Sequence, residues 1–427
     1  MGFSNDQLYH SVTLDESRCK GCTACLKRCP TEAIRIRDGK AKIIKELCID
    51  CGECIQVCPY HAKQAVMDTF AELDKFKYNI AVPAPTLYGQ FNNLRDINYV
   101  LNGLLHIGFD DVYETAKATE AVTDYTKKLL EEGKLEKPII NSACPAVLRL
   151  ITVRFPNLIS HILPVIAPVE AAAIAARREA ALKTGIAPED IGIFFISPCA
   201  AKATTVHNPI GLVESPISGV LSIKEVYMRL LPVLGKLTEV KPLSNSSLEG
   251  ISWARIGGEI KALGKGRCLS VDGIDSIISL LEEIEDDETL DIDFIEALSC
   301  NGGCVRGPLT VENGYVAKMR VVEIAKAQGR KNIPRTPVSV CEEELDWNKP
   351  VLYRDILHLD EDFSVAMQKL EQIEMIYARL PQTDCGSCGS PTCKCLAEDI
   401  VRGAAVETDC IYKMRERFSK LTQKDQS

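Results

Sequence analysis

The 427-residue sequence has few aromatic residues, 6% of positions, and only 2 tryptophans and 6 histidines. The histidines are scattered and form no pair at metal-ligand spacing. His207 alone lies near a motif, where packing is the better explanation. An excess of positive charge is also missing. The 50 Lys+Arg against 59 Asp+Glu leave a net charge of -9, which argues against nucleic acid as a partner. No run reaches the about 18 uncharged apolar residues of a membrane span. The best candidate, near Ala146, is interrupted by Arg149 and Arg154. The start, Met1-Gly2-Phe3-Ser4-Asn5-Asp6, is polar and lacks the apolar centre of a signal peptide. Asp6 stands where a myristoylation signal carries Ser or Thr. These absences predict a cytoplasmic protein with no membrane association. Core material is ample: 46% hydrophobic and 26% charged residues exclude wholesale disorder. The length corresponds to roughly three domains.

What the sequence has is cysteine, 19 in all. In a chain without a signal peptide these predict thiolate ligands rather than disulfides. Eight fall between Cys19 and Cys58, two are Cys144 and Cys199, two are Cys300 and Cys304, and five lie between Cys385 and Cys410. Cys268 and Cys341 stand outside any ligand spacing and read as ordinary thiols.

The first group is an internal repeat. Cys19, Cys22, Cys25 and Cys29-Pro30 have the spacing C-x2-C-x2-C-x3-C-P, and Cys48, Cys51, Cys54 and Cys58-Pro59 repeat it. This is the two-cluster ferredoxin run, in which each fourth cysteine ligates the other cluster. One cubane then takes Cys19, Cys22, Cys25 and Cys58, and the other Cys29, Cys48, Cys51 and Cys54. A pair of zinc sites is the alternative, although zinc sites favour isolated C-x2-C pairs. Ala33–Ile36 and Ala41–Ile44 read as a hairpin about Asp38-Gly39.

Residues from about 76 to 350 alternate short apolar runs with helical patterns, which predicts a mostly parallel α/β sheet. The runs are Ile80-Ala81-Val82, Val112-Tyr113, Pro138-Ile139-Ile140 and Ile191–Ile196. A helical pattern begins at Leu87 and reaches the neighbourhood of Leu105, and Val169–Leu182 is an alanine-rich helix. Ligands of such sheets bind beyond the carboxyl ends of the strands, where Cys144 and Cys199 would lie. Pro145 directly after Cys144 suits a first helical position, and a thiolate there is stabilised by free N–H groups. Either cysteine alone reads as a buried structural thiol. Cys300-Asn301-Gly302-Gly303-Cys304 adds two more, with glycines that let backbone wrap a bulky group. Four thiolates suffice for a cubane.

These residues resemble a known family. Ser142-Ala143-Cys144-Pro145, Ser197-Pro198-Cys199-Ala200-Ala201-Lys202 and Glu296-Ala297-Leu298-Ser299-Cys300-Asn301-Gly302-Gly303-Cys304 are similar to the three signatures of the [FeFe]-hydrogenase catalytic domain. Their order and the preceding ferredoxin run agree with it. The resemblance implies an α/β domain of two lobes with mostly parallel sheets and the active site between them. It implies an H-cluster, a [4Fe-4S] cubane held by Cys144, Cys199, Cys300 and Cys304. Cys304 would bridge to a two-iron site carrying CO, cyanide and a bridging dithiolate amine. Lys202 would donate to one cyanide, and the loop Ala84-Pro85-Thr86 would lie beside the other. Implied partners are H2 and protons, a redox protein such as ferredoxin or a signalling partner, and hydrogenase maturation proteins.

The departures shape the expectation. The family's first signature carries a proton-relaying cysteine, and here that position is Ala143. Relays of this kind contribute about 10²–10⁴-fold in rate. Ser197 and Leu298 replace the methionines of the second and third signatures, and the last signature's tail is reduced to Arg306-Gly307-Pro308. Glu296 matches a pattern position, but reads equally as a strand-end carboxylate. The pattern looks like the divergent branch to which a sensory role is ascribed. The expected activity is slow, reversible reaction with H2. The alternative is an electron-transfer or cluster-assembly protein on the same fold without the two-iron site.

Cys385, Cys388, Cys393 and Cys410, spaced C-x2-C-x4-C-x16-C, resemble a small four-cysteine iron–sulfur domain and would hold a further [4Fe-4S] cluster. Zinc is the alternative for this single site, and Cys395 reads as structural. Phe363–Arg379 has helical periodicity. The junction from Asn348-Lys349-Pro350 through Asp355–Asp362 is acidic and turn-prone. The expected organisation is a small α+β ferredoxin-like domain over 1–75, the catalytic domain over 76–355, and a linker helix with a mostly helical cluster domain over 356–427.

Overall fold

The computed structural model describes residues 9–286, 291–331, 337–354, 356 and 358–424. The polar start and Asp355 of the expected junction lie outside them. The chain forms two compact units rather than three consecutive ones. The first comprises Met1–Cys48, Glu53–Ala65 and Arg354–Ser427, so the two ends expected as separate domains fold together.

In this first unit β1 (Val12–Leu14) pairs antiparallel with a later strand, and β2 (Ile34–Arg37) forms a hairpin with β3 (Lys40–Ile43). Asp38 and Gly39 turn it with φ of 54° and 71°, the double left-handed geometry that a two-residue hairpin needs. The partner of β1 is β4 (Lys63–Ala65). The C-terminal part supplies the helices Phe363–Arg379, Cys393–Val401 and Ile411–Lys424. The first is the predicted connecting helix, capped by Asp362, whose carboxylate accepts from the Ser364 amide at 2.7 Å. Buried charge explains why the ends join. Asp399 on the second helix accepts from Arg35 Nε at 2.6 Å and from Arg37 Nη2 at 2.8 Å, both guanidinium groups belonging to β2. The Gly389 carbonyl accepts from the Ile36 amide at 2.8 Å, and Gly389 has φ of 80°. A Cβ there would lie 2.1 Å from the Ile36 carbonyl oxygen, so the close approach requires glycine.

The second unit comprises Ile49–Gly52 and Val66–Tyr353. It contains two parallel sheets. One has the order β6 (Asp111–Val112), β5 (Tyr78–Pro83), β8 (Ile191–Ser197), β9 (Gly219–Ser222). The other has the order β10 (Cys268–Asp272), β11 (Phe294–Leu298), β7 (Ile139–Ile140). Every residue of β8 is buried, as its composition predicts. The helix Pro168–Thr184 packs on β8 through alanines, which permit close helix–sheet approach. The helical pattern expected from Leu87 is broken. A 3-10 segment covers Pro85–Gln90 and the α-helix runs only over Asn98–His106. Asn93 takes a left-handed φ of 58° between them, and Asp96 accepts from the Asn98 amide at 3.0 Å to start the helix anew.

Candidate functional site

Each signature cysteine of the second unit lies where a strand gives way to a tight turn. Beyond β7, Cys144 is the residue preceding the helix Pro145–Arg154, with Pro145 at its first position. Beyond β8, Cys199 holds the same place before the helix Ala200–His207. The Ser197 hydroxyl accepts from the Cys199 amide and donates to the Cys199 carbonyl, both at 3.1 Å, fixing that turn. Beyond β11 come Cys300 and Cys304, with Gly302 and Gly303 at φ of 86° and 94°. A Cβ on Gly303 would lie 2.5 Å from the Ile256 amide nitrogen. The four thiols are mutual neighbours. Burial pushes Cys300 well up, and the charges of Cys199, Cys304 and Cys144 add to it. Burial likewise pushes Cys304 up to about 12. Four converging thiols, three of which (Cys199, Cys300 and Cys304) burial pushes up, are the donor set of a metal cluster, which holds its ligands as thiolates.

Beside them, within the same unit, opens a cavity of ≈ 610 Å³, its surrounding solvent included. Ala84, Pro85, Thr86, Ala143, Lys202 and Cys304 all line it. The structure therefore gathers in one place the residues that the motifs singled out separately. Lys202 Nζ donates to the Ala143 carbonyl at 2.9 Å. Burial opposes its charge, but Cys304 first, then Glu170, Cys199 and Cys144, outweigh burial and hold the ammonium above its ordinary value.

Three further polar groups line the cavity without hydrogen-bond partners among the described residues: Thr86 Oγ1, Thr115 Oγ1 and Trp253 Nε1. Glu170 Oε2 is buried in the same condition. Buried polar atoms are rarely left unpaired. Two hydroxyls and an indole N–H left unpaired on the lining, together with the Lys202 ammonium, fit a bound group rich in acceptors, such as cyanide and carbonyl ligands.

Two carboxylates complete the lining. Glu296, on β11, is buried and accepts from the amides of Gly257 and Ile260, each at 3.1 Å. Glu259 is buried and accepts from Asn141 Nδ2 at 2.6 Å. Burial holds both above the usual carboxylate range, and the charge of Glu296 raises Glu259 further. Sequence reasoning left Glu296 open and missed Glu259, Thr115, Trp253 and Glu170. No local pattern marks the last four, which only the tertiary fold brings together.

In the first unit, burial raises Cys25, as do the charges of its neighbours Cys22, Cys58 and Cys19. That is the set expected for the first cubane. Cys54 neighbours Cys29, as expected for the second. Cys51 groups with the second unit and packs against its core cluster, which includes Cys144 and Cys199. Burial raises Cys388, and Cys385 and Cys410 lie close enough to add to the effect. The C-terminal cluster motif contributes the buried Cys393 alongside Cys410 to one small core. Cys395 Sγ donates to Glu32 Oε2 at 3.0 Å, a packing role.

Among the described residues no helix is long and apolar enough to cross a membrane. The family model "Iron only hydrogenase large subunit, C-terminal domain" matches residues 77–262 and 236–308, together more than half of the chain. The "4Fe-4S dicluster domain" matches 10–62, and a model for an Fe-S cluster matches 380–412. The periplasmic [Fe] hydrogenase large subunit of Nitratidesulfovibrio vulgaris is 26% identical over 212 residues, 45% of this chain and 50% of that protein. The chain thus matches half the length of that relative. A ferredoxin of Methanothermococcus thermolithotrophicus is 42% identical over 55 residues, 12% of this chain and 92% of that one. A solved [FeFe]-hydrogenase from Chlamydomonas reinhardtii aligns at 15% identity with a TM-score of 0.48, covering 66% of this chain and 98% of that one.

Proposed function

We infer the function from one premise: the chain belongs to the iron-only hydrogenase large-subunit family. We propose that it reacts reversibly with hydrogen, 2H⁺ + 2e⁻ ⇌ H2, slowly, and in a sensory or regulatory capacity. The observation that carries this is the single cavity lined by Ala84–Thr86, Ala143, Lys202 and Cys304, next to four converging thiols.

Cys144, Cys199, Cys300 and Cys304 would hold a cubane, with Cys304 as the bridge toward the cavity. The two-iron group, when bound, supplies the hydrogen chemistry itself. The chain's own residues bind, orient and exclude. Lys202 offers donors to an anionic ligand while its bond to the Ala143 carbonyl fixes its direction. Thr86 Oγ1, Thr115 Oγ1 and Trp253 Nε1 offer further donors. Phe195, Val169 and Leu298 keep the wall apolar and limit water.

Slow turnover follows from proton supply. Ala143 has no proton to relay. Two carboxyls on the cavity lining, Glu296 and Glu259, can hold one, since burial raises both toward neutral pH. A proton held on Glu296 can pass to the cavity and be replaced from Glu259. Electrons would enter through the ferredoxin-type clusters and the C-terminal cluster from a redox protein. A partner that reads the redox state would make the slow reaction a sensor. Maturation proteins would supply the two-iron group.

The test is an anaerobic infrared spectrum of iron–sulfur-reconstituted protein supplied with the synthetic two-iron precursor. The expected result is sharp CO and cyanide bands that shift under hydrogen. Absence of bands, with all cubanes intact, overturns the reading in favour of an electron-transfer or assembly role.

A further inference from the structure

The ferredoxin repeat is exact enough to be compared with itself. In the first copy the Ala33 amide donates to Cys29 Sγ at 3.3 Å, and in the second the Ala62 amide donates to Cys58 Sγ at 3.3 Å. The residues before these alanines, Glu32 and His61, both take left-handed φ, 53° and 49°. The residues after them begin strands β2 and β4 and are equally buried, each 2% exposed. One is Ile34. The other is Lys63.

A lysine thus occupies the position that the first copy fills with isoleucine. Its Nζ is buried and has no hydrogen-bond partner among the described residues. An ammonium in such a place is costly unless an anion lies beside it. No carboxylate is paired with it among the described residues. The groups that its charge reaches are thiols: Cys25 and Cys58 of one expected cubane, and Cys54 and Cys29 of the other.

We propose that Lys63 is the buried counter-charge of the two ferredoxin-type clusters and raises their reduction potentials. Each cubane takes one electron from a low-potential one-electron donor, with no bond made or broken, and gains one negative charge. A fixed positive charge in a medium of low dielectric favours the more negative, reduced form. Ile34 places no such charge, so the polarity of the pair is set from the second copy alone. The inference rests on the dicluster domain and not on reaction with hydrogen, so it can fail or stand independently of that reading.

The experiment is a redox titration followed by electron paramagnetic resonance, on the full reconstituted chain, with Lys63→Met and Lys63→Arg. In Lys63→Met two cubane signals should shift together to lower potential. At a fixed potential their reduced-to-oxidised ratio should fall by about tenfold, equivalent to ~59 mV for a one-electron couple. The remaining cubanes should hold their wild-type values, and Lys63→Arg should retain the potentials of the pair. No shift, or an equal shift of every cubane, overturns the proposal. Should Lys63→Met fail to load iron, Lys63→Gln takes its place. If both neutral variants lose the pair while Lys63→Arg keeps it, the charge itself is required and the proposal is supported. Loss in all three variants means that packing alone is at stake and overturns it.

Discussion

Lys202 Nζ donates to the carbonyl oxygen of Ala143 at 2.9 Å, and both residues line the cavity. The bond runs to backbone, so the side chain at position 143 can change without disturbing it. That makes Ala143→Cys a clean substitution. It adds one thiol where the resemblance implies a proton relay and leaves Lys202 fixed. With proton delivery limiting, hydrogen turnover by the loaded protein should rise by about 10²-fold. Amperometric hydrogen uptake, with the infrared bands of the two-iron group confirmed unchanged, measures it. An unaltered rate with intact bands would place the limiting step elsewhere.

The Glu259–Glu296 pair gives stability a pH dependence whose sign is fixed. Burial raises the folded-state values of both above the unfolded value of about 4.3. Below that value both groups are protonated whether folded or not. Between it and the neutral range the folded protein binds more protons than the unfolded chain, so stability falls as pH rises. Glu259→Gln, which keeps an acceptor for Asn141 Nδ2, removes the main contribution. The variant's melting temperature should decline less than the wild type's between about pH 5 and pH 8. Scanning calorimetry at matched ionic strength compares the two curves, and parallel curves would refute the account.

Much of this architecture is legible in the sequence because cysteine spacing is local. Each copy of the cysteine repeat, the positions of Cys144 and Cys199 ahead of helices, and the glycines between Cys300 and Cys304 can be read within a dozen residues. What could not be read depends on contacts far apart in the chain. Arg149 looks like an interruption of an apolar run. In the structure it is 1% exposed, and Nη1 lies 3.4 Å from Asp50 Oδ2. Asp50 belongs to the short loop that carries Cys51, and the pair fixes that loop to the second unit. Glu259 sits in an undistinguished stretch, and its depth follows from the sheets on either side. The union of the two chain ends was likewise hidden, since nothing within Arg35-Ile36-Arg37 announces a partner more than 350 residues away.

That partner, Asp399, offers the sharpest stability test. Its Oδ2 accepts from Arg35 Nε at 2.6 Å, Arg37 Nη2 at 2.8 Å and the Ser390 hydroxyl at 2.7 Å. Asp399→Ala leaves two guanidinium groups without their carboxylate. The Arg35 side chain is only 9% exposed, so water cannot readily replace it. Breaking one side of a buried pair costs about 3–5 kcal/mol. The C-terminal cluster segment should then detach from β2 at lower temperature and become open to limited proteolysis while the second unit stays protected. Glu416→Ala, which removes the partner of Lys413 in a more exposed pair, should cost less than about 1 kcal/mol. Equal loss in the two variants would mean that Asp399 contributes no more than a surface pair, and that the ends of the chain are joined by apolar packing and the Gly389–Ile36 backbone contact instead.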